Sequence, residues 1–356
     1  MKRIDTFLEL VVNQGGSDLH LVSGNPPRIR LYGDLFPVKY RELTVDETTT
    51  LLHETMSDRM AKLFASCYGV DYAYEAPGLA RFRANIFRHR QGLGAVLRVI
   101  PSTVQTLEEL ETPAVFKTLC REKKGLVLVT GPTGSGKTTT LAAMIDFINR
   151  ERKGHIITIE DPVEFVHRRQ GCLISQREIG ESTTSFAAAL RSALREDPDV
   201  LLVGELRDLE TISLAVTAAE TGVLILASLH TNGATYAVDR IINVFPASER
   251  SRIRTMLSTS LCGVISQQLV RRAVGKGQLA AFEILINNAA IANIIREGKT
   301  NQLAGVIERS ALLGMQSLDY SLHRFLDARL ITGNEAYRKA VNKAEFEQFR
   351  EQEPLV

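Results

Sequence analysis

GPTGSGKTTT spans residues 131–140 and follows, after Thr130, on the apolar run LVLV at 126–129. Gly131, Gly136, Lys137 and Thr138 stand at the spacing G-x-x-x-x-G-K-[ST], the pattern of a loop that wraps a phosphate group. Glycines let successive backbone N–H groups turn toward one anion, and the helix that follows adds the positive end of its dipole. The chain supplies that helix, because TTTLAAMIDFINRER at 138–152 is amphipathic. Strand, glycine loop and helix occur in the order such a loop requires. The expected nucleotide-holding residues are therefore Gly131, Pro132, Thr133, Gly134, Ser135, Gly136, Lys137, Thr138 and Thr139. In that frame Lys137 reaches the β- and γ-phosphates of ATP, and the Thr138 hydroxyl binds Mg2+.

Outward from the loop, four short apolar runs read as strands: GLVLVT (125–130), HIITIE (155–160), DVLLVGE (199–205) and VLILASLH (223–230). Helical patterns lie between several of them. Apolar runs without strict alternation fit strands covered on both faces, hence a largely parallel α/β sheet. Their ends carry the chemistry. Glu160 and Asp161 end one run, Glu205 the next and His230 a third, so all are expected at the carboxyl edge of the sheet beside the glycine loop. LLVGE resembles the second metal-site motif of phosphate-loop ATPases, an apolar strand ending in an acid, although Gly204 stands where many families have Asp; Glu205 would then hold Mg2+ through water, the rival reading being a solvated strand-end acid. IEDPVE offers Glu160, Asp161 and Glu164, and Glu164 is the expected base for the attacking water, the rival reading being a loop of merely solvated acids. His230 either senses the γ-phosphate, relays a change across a subunit boundary, or is a structural hydrogen-bonding residue.

The amino-terminal part has a different grammar. Ile4, Phe7, Leu8, Val11 and Val12 recur at helical spacing, and GGSDLHL then turns into a short strand. Strands are expected at 28–33 and 81–89 and one helix over 46–65, which together make a small α+β domain over residues 1–100. IPSTVQTLEELETP (100–113) is polar with a proline near each end, so 101–113 reads as a linker to a second domain over 114–356. From about 247 the pattern reads as helical to the end. RFRANIFRHR holds Arg81, Arg83, Arg88 and Arg90 with no intervening acid, and on a strand Arg81 and Arg83 share a face. Three readings stand: arginine fingers donated to a neighbouring copy's ATP, a nucleic-acid patch with Phe82 and Phe87 interleaved, or a solvated face.

Composition sets bounds. The 356 residues are too many for one small core. The formal net charge of +2, from 43 bases against 41 acids, gives the whole molecule no electrostatic preference for nucleic acid or anionic lipid. Cys67, Cys120, Cys172 and Cys262 form no C-x-x-C pair, so reduced thiols are expected rather than a zinc ribbon or disulfide framework. The start, MKRIDTFLELVVNQ, mixes charge into its apolar residues, unlike a signal peptide. Apolar stretches such as VLILA (223–227) fall far short of the roughly 20 residues of a spanning helix.

GPTGSGKTTT, IEDPVEF, LREDPDVLLVGELRD, TGVLILASLHTN and VDRIINVFP, in this order, resemble the hexameric secretion-superfamily ATPases, and most of all their type IV pilus retraction (twitching-motility, PilT-like) branch. The resemblance begins with SDLHL and runs nearly the whole chain. It implies a RecA-like P-loop ATPase domain behind a smaller PAS-like α+β domain, assembled as a homo-hexamer with ATP and Mg2+ between subunits. It carries over Lys137 and Thr138 as the phosphate-loop pair, Glu164 as catalytic acid, Glu205 as metal-site acid and His230 as the histidine-box residue, with Arg81 and Arg83 facing phosphate. It further implies a cytoplasmic protein, peripheral at the inner membrane, that turns an inner-membrane pilus platform protein, touches the membrane only through that partner and has no stable nucleic-acid partner. The chain lacks the long extra amino-terminal region and paired-cysteine zinc site of extension and type II secretion ATPases, which favours retraction over a pilus-assembly paralogue. One departure is AIANIIRE at 290–297, where the retraction signature reads AIRNLIRE; Ala292 leaves room for an accessory retraction ATPase or divergent paralogue.

Overall fold

The computed structural model describes residues 2–31, 33–100, 103–275 and 277–350. The chain divides into two compact units, one of residues 1–103 with 162–166, the other of 104–161 with 167–356.

The first unit begins with α1 (Arg3–Asn13), whose Ile4, Leu8 and Val11 are buried along one stripe. There follow β1 (Asp18–Val22), β2 (Arg28–Leu31), β3 (Asp34–Pro37), α2 (Val45–His53), α3 (Asp58–Ser66), β4 (Gly69–Ala76), β5 (Ala80–His89) and β6 (Gly92–Ile100). The single helix expected over 46–65 is thus two. Thr44 and Glu47 form a capping box at the start of α2, and Ser57 accepts the Met60 N–H at 3.3 Å to open α3. A second N-cap in mid-run ends the one helix and starts another.

The six strands form one antiparallel sheet in the order β3-β2-β1-β6-β5-β4. Leu19, Leu21, Phe82, Ile86 and Leu97 pack from one face against α1, α2 and α3. Alternate residues put Asp18, Arg28, Arg30, Arg83 and Arg98 on the other face, since Asp18 pairs across with Arg30 and Arg98, and Arg98 with Arg83. Asp18 is only 2% exposed, with Arg98 Nε 2.8 Å away. Burial pushes its carboxyl up, but Ser17 and Arg98 together hold it below the usual carboxylate range.

In the second unit α4 (Val115–Cys120) leads to β7 (Gly125–Thr130), α5 (Lys137–Glu151), β8 (His155–Glu160), β9 (Leu173–Glu178), α6 (Phe186–Ala193), β10 (Val200–Val203), α7 (Leu209–Thr221), β11 (Leu224–Leu229), α8 (Ala234–Val244) and α9 (Arg250–Ser260). Then come β12 (Leu261–Arg271), β13 (Gln278–Ile286), α10 (Ala289–Glu297), α11 (Leu303–Arg309), α12 (Leu318–Asp327) and α13 (Gly333–Lys339). The sheet runs β13-β12-β7-β11-β10-β8-β9, parallel except where β13 pairs antiparallel with β12. Both faces are covered. Leu126, Leu128, Ile157, Ile159, Ile225 and Ala227 pack against α6 to α10, while Val127, Val129, Ile156, Leu224 and Leu226 pack with α4 and α5.

The reading of everything after residue 247 as helical fails at β12 and β13. LCGVISQQLVR is a short apolar run whose period does not separate helix from buried strand. What decides is the partner: β12 docks beside β7 and takes β13 on its other edge, so both rows of backbone groups enter ladders. All four cysteines are free thiols.

Candidate nucleotide site

Four parallel strands, β7, β11, β10 and β8, lie side by side, so their carboxyl ends share one edge of the sheet. The glycine loop leaves β7 there, Glu160 closes β8, Glu205 stands two residues past β10 and His230 one past β11.

Gly131, Gly134 and Gly136 have φ of +144°, +77° and +85°, which side chains other than glycine rarely adopt. Gly136 is the N-cap of α5 and brings no capping side chain, an arrangement that suits an anion at the positive end of that helix. The Lys137 ammonium is buried and donates to the carbonyls of Gly131 and Pro132, both at 3.0 Å. It also donates to His230 Nδ1 at 3.4 Å. An ammonium has no lone pair, so Nδ1 accepts and the ring proton sits on Nε2. Nε2 lies 3.3 Å from Glu205 Oε1, and the other oxygen of Glu205 accepts from Arg207 Nε at 2.7 Å. Lys137, His230, Glu205 and Arg207 thus form one polar chain across three strand ends. Ser135 Oγ is buried without a hydrogen-bond partner among the described residues. A buried hydroxyl in a glycine loop at the start of a helix fits the phosphates of a nucleotide. Thr138 and Thr139 are half-buried on the first turn of α5.

Of the other expected site residues, Glu160 ends β8 on the same edge, while Glu164, Arg81 and Arg83 belong to the first unit. Glu164 is half-buried, belongs to the segment grouped with the first unit, and forms no hydrogen bond or ion pair among the described residues. Glu160 is 5% exposed and accepts from Thr158 Oγ1 at 2.6 Å and from Gln176 Nε2 at 3.4 Å, while Asp161 is exposed. Arg81 and Arg83 lie on one face of β5 in the first unit, and β4 brings Asp71 to 3.8 Å from Arg83, an acid that the run RFRANIFRHR does not contain. Arg88 instead lies over the Phe64 ring at 4.8 Å.

Sequence reasoning missed three groups around the loop. Gln267 of β12, 3% exposed, donates from Nε2 to the Ser135 carbonyl and accepts from Thr140 Oγ1, both at 2.7 Å. Ser266 Oγ accepts the Gly233 N–H at 2.9 Å, and Glu283 of β13 accepts the Ala234 N–H at 2.9 Å. Burial pushes the Glu283 carboxyl up, against the opposing pull of that amide. The available hint was the polar triplet SQQ at 266–268 inside an apolar run.

Sheet and loop together define a P-loop ATPase of RecA-like fold. Residues 79–324 match the family described as Type II/IV secretion system protein. The type IV pilus retraction ATPase PilT of Pseudomonas aeruginosa is 50% identical over 337 residues, 95% of this chain and 98% of that protein. The type IV pilus ATPase PilU of the same organism is 41% identical over 336 residues, 94% and 88% of the two chains. The crystal structure of the pilus retraction motor PilT with bound ADP matches at TM-score 0.90 and 42% identity, covering 98% of this chain and 99% of that one. The chain belongs to the Type II/IV secretion system protein family, within its branch of pilus retraction ATPases.

Proposed function

We propose that this chain is the ATP-hydrolysing motor of type IV pilus retraction and twitching motility, working as a ring of six identical copies. The observation that carries its chemistry is His230, which touches both the phosphate-loop lysine and the strand-end acid Glu205. Membership of the retraction branch carries the biological role.

In this reading the backbone N–H groups of Gly131 to Thr139 hold the phosphates, and Lys137 exchanges its carbonyl acceptors for β- and γ-phosphate oxygens. Thr138, and Glu205 through water, would hold Mg2+, which would supply charge neutralisation at the phosphates. Glu164 orients and deprotonates the attacking water, since phosphoryl transfer needs positioning and charge compensation more than covalent chemistry. Arg81 and Arg83 serve the terminal phosphate held by a neighbouring copy. Functionally, residues 1–100 donate those arginines and 114–356 hydrolyse ATP, joined through 101–113. His230 reports the movement of Lys137 to Glu205.

The force acts on an inner-membrane pilus platform protein, with the ring in the cytoplasm and the membrane touched only through that partner. Among the described residues no helix is long and apolar enough to cross a membrane. Identity of 50% to PilT against 41% to PilU favours the motor over an accessory role. Ala292 is half-buried on α10, beside Ile291 and Ile295, which are fully buried.

Steady-state phosphate release tests the site: Lys137→Ala and Glu164→Gln both abolish turnover, the second with ATP binding kept. Unchanged hydrolysis in either variant rejects the assignment. Mixing Arg83→Ala subunits with Lys137→Ala subunits restores some activity, because one interface then holds both intact halves; no recovery at any ratio rejects donation in trans. Cells lacking the protein are hyperpiliated and do not twitch, whereas bald cells point to assembly.

A further inference from the structure

We propose that β12 is the strut that shapes the nucleotide site: Gln267 is a positioning residue for the glycine loop, and Ser266, with Glu283, for the His230 loop. The inference rests on the reading of Gly131 to Thr139 as a nucleotide loop.

Adjacent side chains of a strand point to opposite faces, so one point on β12 can serve two loops. β12 runs parallel to β7 with Ser266 opposite Thr130, which sets Gln267 beside the first residue of the glycine loop. Such a loop holds an anion only while its N–H groups face inward and its carbonyls are engaged elsewhere. The Gln267 amide engages the Ser135 carbonyl, and its own oxygen takes the Thr140 hydroxyl on the first turn of α5. A backbone carbonyl can only accept, so the amide has one orientation that satisfies both partners.

The motif glycines carry the same imprint. A methyl at Gly136 would lie 2.8 Å from Gln267 Nε2, and a methyl at Gly131 would run into the Gln267 carbonyl oxygen. Two of the three loop glycines therefore make room for β12 as well as for phosphate. On the opposite face, Ser266 takes the Gly233 N–H, and Glu283, its partner across the β12–β13 ladder, takes the Ala234 N–H. Those two bonds pin the start of α8, three and four residues beyond the histidine that contacts Lys137 and Glu205.

The two side chains should therefore separate in kinetics. In the full-length protein, Gln267→Glu keeps size and the acceptor for Thr140 but turns a carboxylate onto the Ser135 carbonyl. It raises KM for ATP and the Kd for ADP by about tenfold, with kcat within about threefold of wild type. The ratio of variant to wild-type KM shrinks as pH falls through the carboxyl range, because the protonated acid regains a donor. Ser266→Ala does the reverse, leaving KM within about twofold and lowering kcat by about fivefold. A Gln267→Glu protein with lowered Tm but wild-type KM, or a KM ratio flat with pH, overturns the proposal. Should that variant fail to fold, Thr140→Val removes the other end of the same linkage and raises KM by about threefold; an unchanged KM there also overturns it. If wild-type protein neither binds ADP nor hydrolyses ATP, the nucleotide reading fails first. If Lys137→Ala is inactive while the Gln267 and Thr140 variants match wild type, only the strut is refuted.

Discussion

Gly131 and Gly134 sit in the same loop, both at positive φ, yet the same substitution should cost very different amounts at the two positions. Gly134 has φ +77° and nothing within 4 Å of an added Cβ, so Gly134→Ala meets only the left-handed backbone penalty of about 1–2 kcal/mol. Gly131 has φ +144°, in territory that is nearly glycine-only and costs about 1–3 kcal/mol for another residue. Its added methyl also meets the backbone carbonyl of Gln267 and comes 2.7 Å from Ser135 Oγ. A strand backbone in mid-sheet cannot swing aside like a side chain, so overpacking adds about 1–3 kcal/mol more. The expected loss is about 2–6 kcal/mol for Gly131→Ala, exceeding that of Gly134→Ala by about 2 kcal/mol. Urea unfolding of the two variants beside wild type measures the difference, and ADP titration of each reports whether the loop still binds. Equal losses, within about 0.5 kcal/mol, would refute the claim that β12 rather than backbone conformation alone dictates glycine at 131.

Two further perturbations follow from local geometry. His167 is 9% exposed, and burial depresses its pKa from 6.5 to about 4, with Asp146 pulling weakly the other way. The unfolded chain takes up this proton first, so the stability that His167 contributes is complete above its unfolded pKa and falls as pH drops from about 6.5 to about 4, by about 3 kcal/mol in all. His167→Leu flattens that decline in urea midpoints taken across the window; an unaltered slope means the imidazole is not buried neutral. Asn288 Oδ1 accepts the N–H groups of Ala290 and Ile291, both at 3.0 Å, and so caps α10. Asn288→Ala costs about 1 kcal/mol, read by the same unfolding assay, and a stability equal to wild type would show that the cap is redundant.

The glycine loop was readable because its parts are contiguous: strand, turn and helix follow one another within 125–151 and need no distant partner to be recognised. The strand ends were readable for a related reason, since Glu160, Glu205 and His230 each terminate an apolar run long enough to mark itself. Readings that depended on what a segment packs against went astray. The helix over 46–65 stopped at His53 and restarted behind Ser57, and the helical tail after 247 contained β12 and β13, whose apolar period fits either state until β7 supplies a ladder.

The amino acids alone therefore determined the phosphate loop, the largely parallel α/β character of its sheet and, through ordered motifs, the branch of ATPases to which the chain belongs. Only the tertiary structure decided which strand-end groups meet. It linked Lys137 to Glu205 through His230, and it brought Gln267 to a loop 132 positions earlier in the chain. Local signals are written in neighbouring residues, whereas a hydrogen bond between distant strands exists only after sheet order and register have been chosen by burial of the whole core.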